Sequence, residues 1–202
     1  MTTTTTDASV ETAHVAATTP YAWPWNGVLD ASRTAVLVIE SGDAVALAGV
    51  PLHNAAIVVA ALGRAGGTSI RVVTRRPSRG PSGASAAADA GGTGGIPVDT
   101  SVASQGVDGF FGGPLESLLR RSGIERLLLV GAGLETSVHS TMRTANDMGF
   151  ECLLVVDACA PGDEGLVAGS VSMIEMSGGI FGAVGVTARV VAAYAPTEGE
   201  PE

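Results

Sequence analysis

The sequence predicts a single α/β domain of three layers, with helices covering both faces of a mainly parallel sheet. Short apolar runs rich in β-branched residues recur along the chain, and stretches of helical periodicity alternate with them. Gly- and Pro-rich turns separate the two kinds of segment.

The elements follow in order. Thr34–Ile39 (TAVLVI) reads as a buried parallel strand, and His53–Ala65 as a helix ended by Gly66–Gly67. Ser69–Thr74 (SIRVVT) is a second strand. Residues 75–107, dominated by Gly, Ser, Ala and Pro, read as a long loop of the kind that serves as a lid or linker. Pro114–Arg121 is a short helix and Arg126–Val130 (RLLLV) a third strand. Glu135–Met148 has helical spacing and stops at Gly149. Glu151–Val156 (ECLLVV) is a fourth strand, Glu164–Met176 a helix, and Phe181–Thr187 a last strand before a terminal helical turn. The expected organisation is a loose tail over 1–20, a domain over 21–195 and an acidic tail over 196–202.

Composition narrows the function. The chain has 202 residues, 46% of them hydrophobic, and a net charge of −9. A domain of that size can bury a sizeable core. The acidic balance opposes binding to nucleic acid or to an anionic membrane surface. No apolar run is long enough to span a bilayer, and MTTTTTDASVETAHVAATTP lacks the basic start and apolar stretch of a signal peptide. Cys152 and Cys159 form no disulfide framework and read as buried, reduced thiols of a cytoplasmic protein. His14, His53 and His139 are scattered, so no metal set is expected. GAGLET lacks the lysine of a phosphate-binding loop, the dinucleotide fingerprint is absent, and no cofactor is expected. A small-molecule ligand is the expected partner.

In a doubly wound sheet, ligands bind beyond the carboxyl ends of the strands. Glu40 follows the first strand there, and Gly131-Ala132-Gly133-Leu134-Glu135-Thr136-Ser137 follows the third. A charged side chain and a Gly-rich turn feeding a helix are thus expected to face one crevice. Leu134, Glu135 and Thr136 would line it, Phe110 and Phe111 would wall it, and Asp43 is a nearby second acid. Trp23 and Trp25 are expected to staple the N-terminal segment to the core or to a neighbouring subunit.

Four blocks carry a resemblance to a known family: YAWPWNGVLDASRTAVLVIE, GFFGGPLESLLRRSGIERLLLVGAG, HSTMRTANDMGFECLLVVDACA and MSGGIFGAVGVT. In this order, from Tyr21 to Tyr194, they resemble the isochorismatase-like cysteine hydrolases, most closely the ureidoacrylate and biuret amidohydrolases. The resemblance implies a Rossmann-like, isochorismatase-like hydrolase fold and a homodimer or homotetramer. It also implies an Asp–Lys–Cys triad, in which the Asp takes the thiol proton, the Lys stabilises the ionised pair and backbone N–H groups hold the oxyanion. At the matching positions this chain has Glu40, Ser104 and Ser137, and it contains no lysine.

Those substitutions define the readings. A serine hydroxyl is a far weaker nucleophile than a thiol and needs a well-placed base. Ser137 is read as a helix cap, a ligand-binding hydroxyl or a residual serine nucleophile. Glu40 is read as a general acid or base, or as part of a structural network. The isochorismatase branch, which resolves a vinyl ether by acid catalysis without a cysteine nucleophile, is a partial precedent for the former. His139 lies two residues from Ser137, on another helix face, and is not expected to pair with it. The leading expectation is a repurposed small-molecule enzyme using Glu40, with Ser104 and Ser137 orienting a substrate in an open pocket. The alternative is a catalytically inactive structural or partner subunit.

Overall fold

The computed structural model describes residues 12–41, 45–75 and 95–195. Asp43, most of the long Gly/Ser-rich loop and the acidic tail lie outside the described residues.

The predicted architecture is present. Six strands, β1 (Thr34–Glu40), β2 (Thr68–Val73), β3 (Thr100–Ala103), β4 (Arg126–Ala132), β5 (Glu151–Ala160) and β6 (Ala183–Gly185), form one sheet in the order β3-β2-β1-β4-β5-β6. Every neighbouring pair is parallel. β1 and β4 are buried at every residue, which is why both read as unbroken apolar runs rather than alternating ones.

The pleat sorts the core into two halves. Ala35, Leu37, Ile39, Ile70, Val72, Leu127 and Leu129 pack beneath α2 (Leu115–Arg121), α3 (His139–Asp147) and α4 (Val167–Glu175). Val36, Val38, Leu128 and Val130 pack beneath α1 (Gly49–Arg64) and α5 (Thr187–Ala193). Trp23, fully buried, belongs to this second half.

Several expectations are corrected. α1 begins at Gly49 rather than His53; its N-cap Ala48 offers no side-chain hydrogen bond, so the sequence carries no capping signal there. The segment read as loop over 75–107 contains β3, a short edge strand whose exposure alternates and whose Thr-Ser-Val-Ala composition lacks an apolar stripe. The helix expected over Glu135–Met148 divides into a π-turn, Leu134–Val138, and α3. β5 extends to Ala160 through a register shift opposite Leu129–Gly131. β6 is shorter than expected because Thr187 starts α5, its N–H and hydroxyl both donating to the Asp157 carboxylate at 2.8 and 2.9 Å.

The loose N-terminal stretch expected over 1–20 does not hold from Thr12 onward. Val15 is buried and its N–H donates to the Trp23 carbonyl. Thr19 exchanges backbone hydrogen bonds with Val184 at 3.0 and 2.7 Å, covering the open edge of β6.

Candidate functional site

The strand order reverses between β1 and β4, so the crevice at their carboxyl ends is where this fold places a ligand. Glycine closes that crevice. A Cβ at Gly131 would stand 2.2 Å from the Ile39 carbonyl oxygen, and Gly131 has φ 135°. Gly133, at φ 76° and ψ 57°, turns the chain into the π-turn, and a Cβ there would stand 2.9 Å from Ser41 Oγ. These two glycines let the end of β1 and the turn after β4 come together.

The turn delivers Ser137 into a nest of hydroxyls. Ser137 Oγ lies 3.0 Å from Thr74 Oγ1 and 3.3 Å from Ser41 Oγ, and all three residues are buried. Thr74 Oγ1 donates to the Glu40 backbone carbonyl at 3.0 Å. With the single Thr74 proton used there, Ser137 is the donor to Thr74. Among the described residues its hydroxyl meets the hydroxyls of Ser41 and Thr74, a poor arrangement for a nucleophile, which needs a base to receive its proton. The capping role considered for Ser137 is also corrected: neither the π-turn nor α3 has a side-chain cap.

Glu40 lies in a different compartment. It shares the parity of Val36 and Val38, so its side chain goes to the α1 side of the sheet. There Oε1 is 3.1 Å from Arg71 Nε, and Arg71 Nη2 donates to the Ile96 carbonyl at 2.8 Å. The side chains are 10% and 27% exposed, so the pair is largely withdrawn from water. The candidate general acid or base is thus one half of an ion pair, because the register sets Val38 opposite Arg71 and Glu40 opposite Val73. Among the described residues, Glu40 meets the serine nest through its backbone carbonyl.

The remaining candidates are also accounted for. Ser104 is buried, and its hydroxyl donates to the Gly106 carbonyl at 2.8 Å, fastening its own loop. Phe110 is core, its ring 6.1 Å from Phe150, whereas Phe111 is 61% exposed. Leu134 is buried in the α2–α4 half. Glu135 accepts from the N–H groups of Gly162 and Asp163, both at 2.9 Å, tying the turn to the segment after β5. Thr136 Oγ1 reaches back to the Gly133 carbonyl at 3.4 Å.

His139 stands apart from Ser137, as expected. Arg143 Nε donates to its Nδ1 at 3.3 Å, and burial followed by the Arg143 charge holds its pKa below the ordinary histidine value. Cys152 and Cys159 are buried and free, and burial drives both thiols well above their usual titration range. Among the described residues, no group of three or more His, Cys, Asp and Glu could hold a metal, and no helix is long and apolar enough to cross a membrane.

Sequence reasoning gave no role to Arg71, Ser41 or Thr74. An arginine inside an otherwise apolar strand was the available signal, since a charge at such a position needs an acid.

An all-parallel sheet covered by helices on both faces, with a Gly-rich turn at its switch point, is a three-layer α/β fold of the Rossmann-like kind. The isochorismatase domain matches residues 52–185, and the chain belongs to the isochorismatase family. It is 41% identical over 51 residues to an uncharacterized isochorismatase family protein of Escherichia coli O157:H7; the match spans 25% of this chain and 27% of that relative. Among solved structures, a cysteine hydrolase from Pseudomonas syringae pv. phaseolicola superposes with TM-score 0.65 at 18% identity, covering 82% of this chain and 94% of that one. An isochorismatase family protein from Burkholderia thailandensis gives TM-score 0.64 at 22% identity, over 81% and 96%. The nicotinamidase of Staphylococcus aureus gives 0.55 at 18% identity, over 76% and 98%. Likeness at these identities establishes the fold.

Proposed function

We propose that this protein is a non-hydrolytic member of the isochorismatase family, which keeps the fold and serves as a structural or partner subunit. In this reading Glu40, Ser104 and Ser137 stand where relatives nearest the ureidoacrylate and biuret amidohydrolases carry Asp, Lys and Cys. The observation that carries it is the separation of the residues meant to cooperate. The Ser137 hydroxyl is enclosed by Ser41 and Thr74, while the Glu40 carboxylate is held by Arg71 on the other side of the sheet. A homodimer or homotetramer acting in the cytoplasm without metal or cofactor belongs to the same proposal.

The test is a turnover assay with amides, ureides and vinyl ethers, including the substrate classes named for the nicotinamidase of Staphylococcus aureus and the N-carbamoylsarcosine amidase of Thermoplasma acidophilum. The expected result is no product above the uncatalysed rate, with wild type and Ser137→Ala indistinguishable. Product formation abolished by Ser137→Ala would establish a serine hydrolase and overturn the proposal.

A second reading is favoured by the position of the Glu40–Arg71 pair at the carboxyl end of the central strand. There it would serve a repurposed enzyme, with Glu40 exchanging protons in a cyclisation, isomerisation, elimination or non-cysteine hydrolysis. Turnover lost in Glu40→Gln but kept in Ser137→Ala would select it.

A further inference from the structure

At the opposite end of the sheet from Ser137, the N-terminal segment, the start of β5 and the loop after α4 enclose a surface cleft of about 470 Å³. Its aromatic wall is Tyr21 and Trp25, whose rings meet edge to face at 5.2 Å and 68°. Its polar groups include the Glu151 carboxylate, the Asn146 amide and the Tyr21 hydroxyl. The Asn146 amide nitrogen donates to the Met142 carbonyl at 2.7 Å, which leaves the amide oxygen as an acceptor.

Among the described residues, Glu151 is the only charged residue of the lining; the Arg126 guanidinium that faces it is buried behind the cleft and not part of its surface. One of the Glu151 oxygens accepts from the Trp25 backbone N–H. The other lies 3.9 Å from Arg126 Nε, an atom that makes no hydrogen bond. The Tyr21 hydroxyl also hydrogen-bonds this carboxylate, and two donors still leave it unused lone pairs. The carboxylate side chain is 24% exposed and Trp25 is 72% exposed, so a solute reaches both. Nothing lies within 4 Å of where a Cβ would stand at Gly149 or Gly178, so the rim is open; a Cβ at Gly179 would press on the Tyr21 ring at 3.2 Å.

An aromatic face is negative at its centre, and the best complement to two aromatic rings beside a carboxylate is a cation with an apolar skin. The net charge of −9 adds a long-range field of the same preference. An anion would meet Glu151 with no cation of the lining to answer it. We propose that this cleft binds a small organic ammonium ion, its charge set against the Tyr21 and Trp25 rings and the Glu151 carboxylate. The site is independent of the strand-end crevice and of the function proposed for it.

The chain has two tryptophans, of which Trp23 is fully buried, so quenching by an added solute reports Trp25. The probes are choline and its neutral, shape-matched analogue 3,3-dimethylbutan-1-ol, titrated into the full chain at constant ionic strength. Choline is expected to quench saturably and to bind at least about tenfold more tightly than the alcohol. Glu151→Gln should weaken choline about tenfold, and Trp25→Ala, at an exposed position, should abolish binding read by saturation-transfer NMR on the choline methyl protons. Equal affinity for the two probes, no saturable binding, or undiminished binding in Trp25→Ala would overturn the proposal. So would shielding of Trp25 by a second copy of the chain, seen as resistance to acrylamide quenching together with absence of choline binding.

Discussion

The two faces of the sheet at the ends of β1 and β2 carry opposite chemistry. On the α1 face, Glu40 and Arg71 form an ion pair. On the α3 face, Ser41, one residue beyond Glu40, and Thr74, three residues beyond Arg71, surround Ser137 with neutral hydroxyls. Consecutive residues of a strand point to opposite sides, so adjacency in sequence separates side chains rather than joining them. A carboxylate one position from a serine nest is therefore walled off by the backbone, and its charge is balanced on its own side.

The largest expected effect comes from breaking the charged face. Arg71→Met leaves a withdrawn carboxylate without its cation and should cost about 2–3 kcal/mol, below the usual figure for a buried pair because Arg71 is partly exposed. Adding Glu40→Gln should recover much of that loss. Urea unfolding of the single and double variants measures both values.

The hydroxyl face should be less sensitive. Ser137→Ala removes the donor to Thr74 and the contact to Ser41, at an expected cost of about 1 kcal/mol in the same unfolding assay. Ser137→Cys should install a thiol that stays protonated, because the side chains it meets among the described residues, Ser41 and Thr74, are hydroxyls and not bases. Incubation with an activated ester followed by intact-mass analysis should show no acyl adduct at that cysteine.

A smaller effect concerns pH. The unfolded chain protonates its histidine near 6.5, whereas folded His139 resists the proton because of burial and Arg143. The unfolded state therefore binds more protons below that pH, so this contribution is complete above about 6.5 and is lost as pH falls below it. His139→Gln should flatten the pH dependence of Tm in that acidic window and leave it unchanged above it. The smallest effect is on the thiols. Cys152 and Cys159, buried and held protonated, should not react with a disulfide reagent until the chain is unfolded.

Burial on both faces made β1 and β4 legible, because composition alone reports it. β3 was illegible because an edge strand of Thr, Ser, Val and Ala has no apolar stripe to find. The start of α1 was missed because Ala48 supplies no cap. At the site, the resemblance picked out Glu40 and Ser137 as positions, and the Gly-rich turn placed Ser137 at the switch point. The alternation along TAVLVIES already separated Glu40 from Ser41, but only the register of β1 against β2 could bring Arg71 to Glu40, and only the packing of the turn after β4 could bring Ser137 to Thr74. Register is set by pairing across the sheet, and single-strand periodicity does not encode it.

The central claim is that Glu40 works with Arg71 and not with Ser137. Two double-mutant cycles measured side by side by urea unfolding test it most directly: Glu40→Gln with Arg71→Met, and Glu40→Gln with Ser137→Ala. The account predicts a coupling of about 1 kcal/mol or more in the first cycle and less than about 0.3 kcal/mol in the second. A strong Glu40–Ser137 coupling with none between Glu40 and Arg71 would contradict it and return the carboxylate to the serine's side of the sheet.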